Sequence, residues 1–215
     1  MKKLEIFAYV ICFILILKGG ITPEFQTQFR ILSELLVYAW SLGVVNLVFC
    51  GGALNKLGIR PRTPIGLLGI LFSPFLHSSW EHLTANTVPF FILGWFVMLS
   101  GIKQFFTLTI FILIFGGLGT WLLGRPHTIH VGASGVVLGY LGFLLIHSYF
   151  TNDALSIVLT VLVGFMYGNF LWGIFPIEEG ISWEGHLFGL LAGVLIAGFL
   201  EEFQFLLPVL NSGGA

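Results

Sequence analysis

Three short polar clusters in a largely apolar chain contain the residue types that nucleophilic chemistry requires. The clusters are Gly132-x-Ser134-Gly135, His82-x-x-x-Asn86 and Glu184-x-His186. A serine hydroxyl attacks a carbonyl carbon when a neighbouring base takes its proton, and histidine is the most frequent such base. Because polar side chains are costly to keep in an apolar environment, these clusters are the first candidates for function.

Ser134 is the candidate nucleophile. Its neighbours Gly132 and Gly135 carry no side chain, so another backbone or a substrate can approach closely. Small residues at a helix start also form packing faces between membrane helices. For this motif taken alone, that alternative stays open.

His186 is the candidate base. Gly189 and Gly193 follow it at three and seven residues and lie on the same helical face. A similar row of glycines follows Ser134, at Gly135, Gly139 and Gly142. Glycine-lined helices pack at short axial distance, which a hydrogen bond of about 3 Å between Ser134 and His186 requires. The alternative for His186 alone is a structural histidine in the core.

His82 and Asn86 are four residues apart and project from one helical face. Both can donate hydrogen bonds, and with the backbone N–H of Ser134 they can hold the oxyanion of a tetrahedral intermediate. An interhelical hydrogen bond is the alternative for Asn86. His77 and Glu81 lie just upstream, where a local ion pair or a loop hydrogen bond is the default expectation.

The elements that must position these residues are membrane helices. Of the 215 residues, 57% are hydrophobic and 9% are charged, whereas soluble domains carry about 25% charged residues. This composition predicts a polytopic membrane protein. The net charge of −1 offers no electrostatic basis for binding nucleic acid. Cys12 and Cys50 lie in separate apolar runs, so a disulfide is not expected.

Seven apolar segments are predicted as spans, since a span needs about 20 residues. They are residues 4–19, 31–52, 82–100, 104–123, 131–149, 154–174 and 184–200. The predicted domains are an N-terminal hydrophobic helix with its linker (1–30), a membrane core (31–203) and a C-terminal tail (204–215). Segment 4–19 resembles a signal peptide but lacks a small-x-small cleavage pattern, so it is predicted to be retained, either spanning the membrane or lying in its interface.

Residues 53–81 are predicted to form an apolar loop in the headgroup region or half buried, because Gly and Pro interrupt this stretch. The three polar clusters each stand at the start of a span, and these are the third, fifth and seventh spans. Alternate spans run in the same direction, so the clusters are predicted to share one side of the membrane at similar depth. The distribution of Lys and Arg does not decide which side that is, because the count depends on whether segment 4–19 spans.

The ordered set of motifs resembles the rhomboid intramembrane serine proteases over about residues 31–200. His77 matches the histidine that precedes the family's His-x-x-x-Asn motif. Two runs are similar to a bacterial subgroup, namely 85–89 and 130–135. One departure is Leu138, which stands where many relatives have an aromatic residue that stacks on the catalytic histidine.

The resemblance implies an all-α, six-helix membrane core, here preceded by one extra helix. It also implies a Ser134–His186 dyad without a carboxylate and an oxyanion site made by His82, Asn86 and the Ser134 N–H. Gly132 and Gly135 would then leave room for the substrate backbone, and His77 would give structural support. The implied partners are single-span membrane substrates and membrane lipid, with no cofactor. The implied location is a bacterial inner membrane, with a water-filled cavity open to the extracytoplasmic side.

Two other functions stay open at this point. Some rhomboid relatives have lost catalysis and bind membrane clients, although all the chemical positions of the motif are intact here. A metal- or haem-binding protein is the less favoured alternative, because the histidines lack a tight ligand repeat on a span. The histidines concerned are His77, His82, His127, His130 and His186.

Overall fold

Seven helices make up the part of the chain that the computed structural model describes, which is residues 20, 22–151, 153–177, 180 and 182–200. They are α1 (Pro23–Phe49), α2 (Pro64–Phe75), α3 (Trp80–Met98), α4 (Ile102–Leu123), α5 (Ser134–Thr151), α6 (Ala154–Ile174) and α7 (Trp183–Ala197). The predicted all-α membrane bundle is confirmed. The predicted helix at 4–19 and the tail at 204–215 lie outside the described residues.

Side-chain caps explain where several helices begin. Thr22 precedes Pro23, and its Oγ1 accepts a hydrogen bond from Phe25 N at 3.2 Å. Ser79 caps α3 in the same way, and Asp153 caps α6. Such oxygens satisfy amides that have no acceptor within the helix, and Pro is favoured in the first turn. Helix α1 therefore begins at Pro23, so the first turns of α1 occupy residues that were predicted as linker.

Gln28 shows why these early turns of α1 belong to the bundle. Its side chain is buried, its Nε2 donates to Met98 O at 3.0 Å, and its Oε1 accepts from Trp95 Nε1 at 3.1 Å. A buried amide is stable only when its hydrogen bonds are made. The first turns of α1 are thus attached to the end of α3.

Four helices, α1, α4, α5 and α6, are long and apolar enough to cross a membrane. The segments predicted at 82–100 and 184–200 correspond to α3 and α7 and are helical as expected. These two helices do not meet the combined requirement of length and apolar character for crossing a membrane. Helix α7 has 15 residues within the described part, and α3 carries several polar side chains in its first two turns. These two helices contribute His82, Asn86 and His186.

The predicted apolar loop contains a 3₁₀ turn (Ala53–Leu57) followed by helix α2, whose apolar side chains are largely exposed. The backbone of this loop pairs with the segment that leads into α5. Ile59 and His130 exchange two backbone hydrogen bonds of 3.0 and 2.9 Å, and Gly132 N donates to Ser73 O at 2.8 Å. These hydrogen bonds attach the loop to the segment just before Ser134.

Helix α5 lies at the centre of the bundle, and its most extensive contact is with α7. A Cβ placed on Gly189 would overlap the carbonyl oxygen of Gly135, and one on Gly193 would overlap that of Gly139. The prediction that two glycine rows permit close helix packing is confirmed. This packing sets the distance between the first turns of α5 and α7.

Candidate active site

The first turns of α5 and α7 bring the candidate nucleophile and base into contact. Ser134 Oγ lies 2.8 Å from His186 Nε2, within hydrogen-bond distance. Both side chains are half buried and line a cavity of about 760 Å³. The two residues that the sequence analysis predicted as a pair are therefore adjacent in an accessible pocket.

The other ring nitrogen of His186 fixes the direction of this hydrogen bond. His186 Nδ1 lies 3.0 Å from the carbonyl oxygen of Gly173, in the 3₁₀ turn that ends α6. A carbonyl oxygen only accepts, so Nδ1 carries the proton and neutral Nε2 is the acceptor. The Ser134 hydroxyl therefore donates to Nε2, as a general-base arrangement requires.

His82 and Asn86 stand across the cavity from the dyad and face the backbone before Ser134. Gly132 has φ +112°, and a Cβ on it would lie 2.5 Å from His82 Nε2 and 3.6 Å from Asn86 Nδ2. The site thus needs glycine at this position for both its backbone angle and its space. Asn86 Nδ2 also donates to His82 O at 3.0 Å, which orients the amide. The side chains of His82 and Asn86 therefore both lie beside the backbone of Gly132, two residues before Ser134.

His77 packs behind His82 and is almost completely buried, at 1% exposure. Their rings meet edge to face with centroids 5.1 Å apart. Burial lowers the pKa of His77 to about 4, and the nearby His82 charge acts in the same direction. His77 is therefore neutral at physiological pH and contacts the cavity residue His82 through its ring.

Glu184 lies two residues before His186, but its carboxylate points to another partner. Glu184 Oε1 accepts hydrogen bonds from Arg125 N at 3.1 Å and Arg125 Nε at 2.6 Å, and Oε2 accepts from Nη2 at 3.2 Å. The guanidinium also lies over the Trp183 ring, 5.9 Å from its centroid. This carboxylate joins the loop after α4 to α7 and does not contact the imidazole of His186.

A second contact joins the same two segments. His130 Nδ1 lies 2.6 Å from Ser182 Oγ, and these residues stand four positions before Ser134 and His186 respectively. Thr128 Oγ1 donates to Arg125 O at 2.7 Å, so it accepts from His130 Nε2 at 2.8 Å. Burial lowers the pKa of His130. Neutral His130 thus accepts from the Ser182 hydroxyl and tethers the loop to α7.

The remaining histidines lie apart from the site: His127 is exposed in the loop, and His147 is near the far end of α5. Among the described residues, no three His, Cys, Asp or Glu side chains are grouped so that they could hold a metal ion. The five histidines considered as metal or haem ligands therefore form no such group.

The sequence analysis did not predict three contacts at or beside the site. They are the hydrogen bond from His186 to the Gly173 carbonyl, the His130–Ser182 hydrogen bond and the Arg125–Glu184 ion pair. A backbone carbonyl leaves no residue-type signal. The only hint for Gly173 is Pro176 three positions later, because proline cannot supply the backbone N–H that a 3₁₀ turn would use there.

Comparisons with known proteins agree with these motifs. A family model described as the Rhomboid domain matches residues 66–203. An uncharacterized protein of Mycobacterium tuberculosis is 40% identical over 193 residues, covering 85% of this chain and 80% of that protein. A protein of Acanthamoeba polyphaga mimivirus, provisionally named a rhomboid protein, is 32% identical over 152 residues, covering 66% of this chain and 77% of that protein. A Bacillus subtilis protein provisionally named a rhomboid protease is 28% identical over 196 residues, covering 82% of this chain and 92% of that protein.

Proposed function

The chain belongs to the rhomboid family, and on this basis we propose that it is a serine endopeptidase that cleaves helix-anchored proteins within the membrane. The observation that carries the proposal is the 2.8 Å hydrogen bond between Ser134 Oγ and His186 Nε2. It lies in a cavity that also contains the donors of His82 and Asn86. Nucleophile, base and oxyanion donors are the parts that acyl transfer needs.

In the proposed reaction, His186 Nε2 takes the proton from Ser134 Oγ as the oxygen attacks the peptide carbonyl carbon. The negative charge then forms on the carbonyl oxygen, where His82, Asn86 and the Ser134 N–H donate hydrogen bonds. The imidazolium gives its proton to the leaving amine, which leaves an acyl-enzyme. His186 next accepts a proton from a water molecule whose oxygen attacks the ester carbonyl. The C–Oγ bond then breaks, and the imidazolium returns the proton to Ser134 Oγ as the peptide leaves with a new carboxyl group.

The position of the site supports the proposed substrate class. The cavity lies at one end of a bundle whose outer faces are apolar, and a helix anchored in the same membrane would bring a peptide bond close to it. A single-span protein whose helix unwinds locally would present an extended backbone to Gly132 and Gly135. The family suggests a small residue before the cleaved bond, and a bacterial inner membrane as the location.

The direct test is cleavage of a panel of helix-anchored reporter proteins by the purified, reconstituted protein. Ser134→Ala and His186→Ala should each lower cleavage by at least about 10²-fold, because the first removes the nucleophile and the second removes the general base. His127→Ala is the matched control, since this exposed loop histidine touches none of the reacting groups and should retain wild-type cleavage.

A serine-directed fluorophosphonate separates the protease from a catalytically inactive client-binding relative. Covalent labelling at Ser134, lost in Ser134→Ala, supports the protease. A folded wild-type protein that resists labelling and cleaves no reporter would refute the proposal and favour the binding protein.

A further inference from the structure

We propose that the backbone carbonyl of Gly173 takes the place of the carboxylate that orients the base in a serine–histidine–aspartate triad. This inference rests on the proposed function and adds a positioning residue to it. The carbonyl oxygen lies 3.0 Å from His186 Nδ1, on the side of the ring opposite Ser134. It belongs to α6, a helix that supplies no side chain to the reacting groups.

No described side chain performs this task. The carboxylate of Glu184, which is close in sequence, is bound by Arg125. Leu138 lines the same cavity, but its aliphatic side chain cannot accept a hydrogen bond. The polar contacts found for the His186 ring among the described residues are Ser134 Oγ and Gly173 O. The carbonyl is therefore the group that selects the tautomer.

The local sequence explains why this carbonyl is available. Within a 3₁₀ turn the carbonyl of residue 173 would accept from the N–H of residue 176, but residue 176 is Pro. The next amide, Ile177 N, donates to Phe175 O at 2.8 Å. Gly173 O is thus left without these backbone donors and accepts from the imidazole instead.

The absence of a side chain at Gly173 is equally important. A Cβ there would lie 2.9 Å from His186 Nδ1 and 3.6 Å from Cε1, and no other atom beyond the turn's own backbone and the two adjoining residues would lie within 4 Å. Any other residue would therefore press on the imidazole and on little else. Glycine fits this position because the imidazole occupies the space that a side chain would take.

A carbonyl also suits a site in a membrane bundle better than a carboxylate does. It fixes the Nδ1–H tautomer, and its dipole stabilises the imidazolium that forms during catalysis. A neutral group does this without the large desolvation cost of an additional buried charge.

The first test compares Gly173→Ala with Gly168→Ala, a glycine in the same turn where an added Cβ meets nothing within 4 Å. Gly173→Ala should lower kcat and the fluorophosphonate labelling rate by about 10²-fold with little change in KM, as expected for a misplaced base. Gly168→Ala should keep both rates. Wild-type rates in folded Gly173→Ala would overturn the inference.

A second measurement avoids any added atom. Replacing Ile174 by its α-hydroxy analogue turns the 173–174 amide into an ester, whose carbonyl is a weaker acceptor, and the same change at Asn169 is the control. The ester at 174 should slow labelling, whereas the control should not. Unchanged labelling with the ester at 174 would contradict the role of the carbonyl, even if Gly173→Ala had failed to fold.

The ¹⁵N spectrum of histidine reports the hydrogen bond itself, with His186 assigned by comparison with His186→Ala. Neutral His186 should carry its proton on Nδ1, and this signature should be lost in Gly173→Ala. A proton on Nε2 in the wild type would refute the inference. Because the spectrum does not depend on cleavage, it tests Gly173 even if wild-type protein proved unreactive, a result that would refute the protease function alone.

Discussion

The cavity residue His82 is oriented by neighbours that lie before the helix on which it stands. Ser78 Oγ is 3.2 Å from His82 Nδ1, and the His77 ring packs edge to face against the His82 ring. These contacts direct His82 Nε2 towards Gly132. At the scale of single residues, the position of His82, a proposed oxyanion donor, thus depends on its polar contact with Ser78 and its ring contact with His77.

Replacing Ser78 by Ala should weaken the orientation of His82 without changing the dyad. We expect cleavage to fall by up to about 10-fold, less than the 10²–10³-fold typical for removal of an oxyanion donor. His82→Ala should show that larger loss, measured as kcat/KM with the same reporter. Equal losses in the two variants would contradict a supporting role for Ser78.

His77 should make folding stability depend on pH. The unfolded chain binds a proton near pH 6.5, whereas the folded protein holds the pKa of His77 at about 4. The unfolded state therefore binds more protons between these values, and stability falls as the pH drops from 6.5 to 4, by up to about 3 kcal/mol. Thermal unfolding of His77→Gln in detergent should show a shallower loss over this window than the wild type. A parallel pH profile would contradict the prediction.

At the scale of helices, the site depends on how closely α5 and α7 approach. Gly189→Ala would place a methyl group against the Gly135 carbonyl, and we expect it to destabilise the protein by about 1–3 kcal/mol and to slow cleavage. Gly164→Ala in α6 is the control, because its Cβ would meet only Leu145 Cδ2 at 3.6 Å. There the higher helix propensity of Ala should leave stability unchanged or raise it.

The ion pair between the loop after α4 and the start of α7 should respond asymmetrically to substitution. The Glu184 side chain is 1% exposed and that of Arg125 is 51% exposed, so only Arg125 can be rehydrated when its partner is lost. Arg125→Ala leaves a buried carboxylate without its cation and should cost about 3–5 kcal/mol, whereas Glu184→Ala should cost less.

The exposed pair Arg30–Glu34 is the control for this comparison, with side chains 71% and 61% exposed. Arg30→Ala should change stability by less than about 1 kcal/mol. Chemical unfolding in mixed micelles measures the free energy of unfolding of the three variants and so ranks their costs. A larger cost for Glu184→Ala than for Arg125→Ala would contradict the argument from burial.

At the scale of the whole molecule, the polar groups of the site collect at one end of an otherwise apolar bundle. The loop containing His127 lies at the same end as the dyad, and Ser100 lies in the turn between α3 and α4 at the other end. The two loops are separated by the length of α4, a helix long enough to cross a membrane. They should therefore be accessible from opposite sides.

Single cysteines test this orientation in a background with Cys12 and Cys50 replaced by Ser. Because the family resemblance implies an extracytoplasmic site, a membrane-impermeant maleimide should label His127→Cys in intact cells. Ser100→Cys should react only after permeabilisation. The reverse pattern would place the site in the cytoplasm, and labelling of both from one side would contradict the arrangement of α4 across the membrane.

Much of the site could be predicted from sequence because its parts have local signatures. A serine between glycines, two histidines and an asparagine are conspicuous where most residues are apolar, and the glycine spacing indicates which helical faces meet. Thr22-Pro23 is also a local signal, and reading it as a cap would have predicted the true start of α1. Residue type and periodicity along one helix carry all of this information.

The tertiary structure alone decided which distant groups are partners. Ser182 contacts His130 and Glu184 binds Arg125 because packing of α7 against α4 and α5 brings together segments more than fifty residues apart. The Gly173 carbonyl is the clearest case, since every residue has a backbone carbonyl and no residue type distinguishes this one. Its role depends on where α6 ends relative to α7, and such a relation between helices is set by the folded bundle as a whole.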